Sequence, residues 1–135
     1  MVSLYKAETT SASAAGVMGR LQAPVWLSQL GELELRNAFH LAVFRGEFDR
    51  AAGELKWRLF QDDFKNGVFV VRPIQAAVLF EGAAALADRH SARLGSRSLD
   101  LMHVAAALHL KADEFLSFDE RQRQVARAEG MKVRP

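Results

Sequence analysis

The stretch "RSLDLMHVAAALHLKADEFLSFDERQRQ", residues 97–124, decides how the chain is read. Helical spacing sets Leu101, Val104, Ala105 and Leu108 on one face of the segment 98–111, and Asp100 stands at its mouth. "EFLSF" (114–118) reads as a short strand, and "DERQRQVARAEG" (119–130) as a charged helix. Asp119 therefore follows a strand directly. In open parallel sheets that is where ligands gather. Both acids also have a purely structural explanation. Asp is a preferred N-cap, and Gln122, three residues on, would complete a capping box. Asp100 falls in the first turn of its helix, with Ser98 as the expected N-cap, where the helix dipole favours an acid by about 0.3–1 kcal/mol. The two roles are compatible, since one carboxylate oxygen can cap while the other binds.

Outward from this block the alternation continues. "MKVR" closes the chain as a strand after Gly130, a helix-stop residue. Upstream, residues 9–22 read as a small-residue helix ended by Pro24, and "VWLS" (25–28) as a fully apolar strand. Ser28 is the expected cap of a helix over 29–46, with Leu30, Leu33, Ala38, Leu41 and Ala42 as its apolar face and Gly46 as its stop. Residues 47–67 form a second amphipathic helix, with Leu55, Leu59 and Phe60 on one side. "VFVV" (68–71) is a strand, and Pro73 introduces an alanine-rich helix that runs to Gly95. Strands alternating with helices predict an α/β fold with a parallel sheet flanked by helices. Residues 1–135 hold no repeat, low-complexity tract or linker, so one domain is expected.

Half of the 135 residues are hydrophobic, enough for a substantial core. The absence of cysteine excludes disulfides and thiolate metal sites and fits a reducing, cytoplasmic setting. No apolar run approaches the roughly 18 residues of a membrane span, and the start lacks the pattern of a secretion signal. A net charge of +2 with a pI near 9.3 is compatible with a nucleic-acid partner.

Three acids are candidates for a shared site: Glu34, Asp100 and Asp119. Glu34 lies on a helix rich in leucine, and Asn37 shares its face at i+3. A solvated surface glutamate is the structural alternative. His103 follows Asp100 by three residues, but zinc is disfavoured, because the chain has no HExxH and its other histidines, His40, His90 and His109, are scattered. Arg89, Arg93 and Arg97 step towards Asp100, and Arg121, Arg123 and Arg127 follow Asp119. They form either a solvated face or a set of phosphate contacts beside the acids. No phosphate-binding loop, dinucleotide fingerprint or nucleophile elbow occurs.

The segment 98–133, with an acid opening an alanine-rich helix and a strand running into "SFDERQ", resembles PIN domains, specifically the toxin type of bacterial toxin–antitoxin pairs. "LGELELRNAFHLAVFRGEF" resembles the family's helix carrying its second acid, at Glu34, and "SLYKAETTSASA" the segment after its first strand. The resemblance implies a metal-dependent endoribonuclease in which Glu34, Asp100 and Asp119 hold Mg²⁺ or Mn²⁺. It further implies an RNA substrate, a cognate antitoxin and a homodimer, with no membrane partner. Oxygen ligands suit these cations. The family's first acid lies in a strand before the stretch matching "SLY", and that strand and acid have no counterpart after Met1; Glu8 falls beyond the matching position and is not assigned the role. Losing a central strand would forfeit burial on the order of 10 kcal/mol. That is comparable with a typical net stability, so the natural start is expected upstream of Met1.

Two other readings stand beside the nuclease. One is a PIN-like binding protein that has lost activity with its first acid. The other is an unrelated α/β domain whose acids only cap helices.

Overall fold

The computed structural model of the chain describes residues 24–134. The helix expected over 9–22, and Glu8, lie outside them. The chain divides into two compact units, Met1–Arg72 and Pro73–Pro135.

In the first unit, strand β1 (Val25–Leu27) leads into helix α1 (Gln29–Phe44), helix α2 (Arg50–Lys65) and strand β2 (Phe69–Val71). Ser28 caps α1 as expected: its backbone is extended and its hydroxyl accepts the Gly31 N–H at 3.2 Å. Helix α2 starts three residues later than the expected 47, because Asp49 is its N-cap and accepts the Ala52 N–H at 2.8 Å. β1 and β2 pair in parallel, Val25 with Phe69 and Leu27 with Val71. Their shared core is aromatic. Phe60 is fully buried, with ring centroids 5.3 Å from Trp57, 5.6 Å from Phe64 and 5.5 Å from Phe69.

This core bears out Ala42 and Phe60 of the expected apolar faces and corrects the rest. On α1 the buried residues are Leu35, Phe39 and Ala42, while Leu33 is 62 % exposed. On α2 they are Gly53 and Phe60, while Leu55 and Leu59 are 55 % and 50 % exposed. The large aromatic rings set the helix rotation, because each buries more surface than a leucine.

In the second unit, helix α3 (Ala76–Leu94) is followed by α4 (Ser98–His109), β3 (Glu114–Leu116), α5 (Glu120–Ala128) and β4 (Lys132–Arg134). α3 begins three residues after Pro73 and ends at Gly95, whose φ of 63° is left-handed. Strands β3 and β4 are parallel, Phe115 opposite Val133. The core joins Leu86 of α3, Leu101, Val104 and Ala105 of α4, Phe115 of β3 and Val125 and Ala126 of α5. The fold among the described residues is therefore mixed α/β, with five helices and short parallel strands, as expected of a PIN-like chain. No helix among them is long and apolar enough to cross a membrane.

Candidate functional site

Asp100 is the third residue of α4. Arg97, not Ser98, is the N-cap: its backbone is extended, and its N–H donates to Asp100 Oδ2 at 3.1 Å. An acid at this position can reach back over the helix start, which a residue further along could not. Asp100 is only 6 % exposed and borders the core residues Leu101 and Val104.

Asp119 caps α5. Its Oδ1 accepts the N–H groups of Arg121 at 2.8 Å and Gln122 at 3.3 Å. Its Oδ2 takes no hydrogen bond among the described residues. The capping box expected here is only half formed. The Asp119 N–H donates to Ser117 Oγ at 3.1 Å, so the Gln122 side chain is not needed to satisfy it. Ser117 Oγ in turn donates to Gln122 Oε1 at 2.8 Å, and Gln122 Nε2 donates to Asp100 Oδ1 at 3.3 Å.

Asp100 and Asp119, 19 residues apart in sequence, thus belong to one hydrogen-bonded network that runs through Ser117 and Gln122. The sequence reading missed both bridging side chains as parts of the site. Ser117 carried a signal, because a hydroxyl two residues before an N-cap is well placed to take that residue's N–H. The far partner of Gln122 carried none.

Glu34 is half-buried on α1 of the first unit, between exposed Leu33 and buried Leu35. Asn37 is exposed. Within either unit, among the described residues, no three His, Asp or Glu side chains form a group that could hold a metal ion. Asp100 and Asp119 nevertheless fit a hard divalent cation in kind. Both are carboxylates, one borders the core, and the other has an oxygen with no hydrogen bond among the described residues.

The histidines do different things. His40 and His109 are exposed, and His103 is half-buried on α4. His90 is buried and meets Glu129 Oε1. Arg89 grips the same carboxylate with two hydrogen bonds, at 3.1 and 3.0 Å. The guanidinium holds the Glu129 carboxyl below the usual carboxylate range; burial pulls the other way, and His90 adds to the lowering.

The six arginines considered as phosphate contacts divide accordingly. Arg89 is taken by Glu129, and Arg123 and Arg127 both pair with Glu120. Arg93, Arg97 and Arg121 are exposed and make no ion pair among the described residues. Two of them, Arg97 and Arg121, also donate backbone N–H groups to Asp100 and Asp119 respectively.

A search of curated proteins returns no match to the chain. Residues 1–128 do match the family model described as "PIN domain", so the chain belongs to the PIN-domain family, a nuclease-type fold whose members are generally dependent on divalent metal.

Proposed function

We propose that the whole chain is one PIN-type domain and a Mg²⁺- or Mn²⁺-dependent endoribonuclease, the toxin of a toxin–antitoxin pair silenced by a small antitoxin. The observation that carries this reading is the joining of Asp100 and Asp119 in one network, with Asp119 Oδ2 taking no hydrogen bond among the described residues. Glu34, Asp100 and Asp119 would hold the cation. When bound, it would make a coordinated water more acidic and offset charge on the phosphate under attack. The protein's own contribution is positional. The Asp100 carboxylate is fixed by the Arg97 N–H and the Gln122 amide, and Asp119 by two N–H groups of α5. The exposed guanidinium groups of Arg97 and Arg121, at the same two helix starts, are suited to hold the RNA backbone.

The test is cleavage of a mixed RNA pool with Mg²⁺ or Mn²⁺, with and without EDTA, beside Asp100→Asn and Asp119→Asn. Asparagine caps about as well as aspartate. Asp119→Asn should therefore keep its melting temperature while losing cleavage. Metal-independent cleavage, or full activity in both variants, would refute the assignment.

A second reading, a binding protein without activity, is favoured by the exposed apolar side chains of α1 and α2. Phe44 is 86 % exposed, and Leu33, Leu55 and Leu59 are each at least half exposed. An antitoxin or a second copy of the chain would cover such side chains. Under this reading the RNA pool survives every metal condition.

A further inference from the structure

We infer that Gln122 is a positioning residue that sets the Asp100 carboxylate for metal binding, an inference that rests on the metal-site reading above. The argument begins with what Gln122 is not doing. At the third position of a helix capped by Asp119, a glutamine side chain ordinarily turns back to the N-cap N–H. Here Ser117 Oγ accepts that N–H at 3.1 Å. The glutamine is left free to extend, and it reaches Asp100 Oδ1, 22 residues away in sequence.

Its direction is also fixed. A primary amide presents a donor and an acceptor that can exchange places by a half-turn about the last side-chain bond. Ser117 Oγ donates to Gln122 Oε1 at 2.8 Å, and it does so while accepting the Asp119 N–H. The hydroxyl proton goes to the amide oxygen, and the NH₂ end is turned to Asp100 Oδ1. This end donates and does not compete as an acid. It leaves the remaining lone pairs of the Asp100 carboxylate available to a cation. The Arg97 N–H holds the other oxygen at 3.1 Å, so the carboxylate is clamped from both sides.

The chain Asp119 N–H, Ser117, Gln122, Asp100 thus ties the start of α5 to the start of α4. A shift of one acid is passed to the other through side chains whose hydrogen-bond directions are all determined. Outer partners of this kind typically change metal affinity by about 10–100-fold when removed. Neither Ser117 nor Gln122 needs to touch the metal or the RNA for this effect.

The experiment measures Mn²⁺ affinity of the full chain by calorimetric titration, and melting temperature in EDTA, for wild type, Gln122→Ala, Gln122→Met and Ser117→Ala. Gln122→Met keeps the side-chain length and loses the amide. Expected is a drop in Mn²⁺ affinity of about tenfold or more in both Gln122 variants, with a smaller drop in Ser117→Ala, where the amide is free to turn. Melting in EDTA should differ little between wild type and Gln122→Met. If Gln122→Met binds Mn²⁺ as wild type does while Gln122→Ala does not, the side chain only fills space and the inference is overturned. Wild-type affinity in both overturns it as well. If wild type itself fails to bind Mn²⁺, the metal-site reading falls and takes this inference with it, an outcome distinct from the other two.

Discussion

Glu129 ends α5 in the grip of two side chains from α3, Arg89 by a forked pair of bonds and His90 by one. Arg89 is the larger influence on its carboxyl, and the shift is downward from an ordinary value of about 4.5. A carboxyl that is more acidic folded than unfolded adds stability above its unfolded value, and that stability is lost as pH falls through the folded one. The chain should therefore lose part of its stability below about pH 4.5 through this group. Glu129→Gln should be less stable than wild type near neutrality, and the gap should narrow at low pH. Urea midpoints measured from pH 7 down to about pH 3 would show it; a gap independent of pH would exclude the mechanism. None of this was readable from spacing, because His90 and Glu129 lie 39 residues apart. The same limit applies at the site. Asp100 and Asp119 stood out in the sequence because helix starts and strand ends are local events. Their link through Gln122 depends on tertiary placement and did not.

Among the elements, strands and helices were legible and their rotation was not. All four described strands and five described helices lie where alternation of apolar runs and stop residues placed them, and Gly46, Gly95 and Gly130 all take left-handed φ at helix ends. The buried face of α1 was legible only at Ala42, because leucines and aromatics occupy two competing stripes, Leu30, Leu33 and Leu41 against Leu35 and Phe39. Periodicity finds the period but cannot choose between two apolar phases. Gly53 shows what the true phase demands. A Cβ there would stand 2.6 Å from Val43 Cγ2, far inside normal contact, where α2 approaches the end of α1. Alanine is the better helix former by about 1 kcal/mol. Overpacking against a stiff β-branched side chain costs about 1–3 kcal/mol, so the clash wins. Gly53→Ala should lower stability by about 1 kcal/mol, the difference between those two effects. Paired with Val43→Ala, which removes the obstructing methyl, the substitution should become neutral or stabilising relative to Val43→Ala alone. Denaturation of the four members of this cycle is the measurement; equal effects of Gly53→Ala in both backgrounds would show that no clash operates.

At the scale of the whole molecule, what matters for an RNA partner is how much of the positive charge is unspent. Eighteen Lys and Arg face sixteen Asp and Glu, so net charge alone offers little attraction. The distribution offers more. Glu120 is shared by Arg123 and Arg127, and Glu129 occupies Arg89, whereas Arg97 and Arg121 carry no counter-charge among the described residues and flank Asp100 and Asp119. Each arginine that neutralises a phosphate of single-stranded RNA releases counterions and contributes about 0.7 to the slope of log affinity against log salt. Binding of an RNA oligonucleotide in EDTA, where cleavage does not intervene, should therefore weaken with salt. Removing both side chains, as Arg97→Ala with Arg121→Ala, should reduce that slope by about 1.4. Arg123→Ala should leave it nearly unchanged, because Glu120 already offsets that guanidinium and would instead be left with Arg127 alone. An unchanged slope in the double variant, or an equal fall in Arg123→Ala, would mean that RNA is held elsewhere on the surface and that the two unpaired arginines are only solvated.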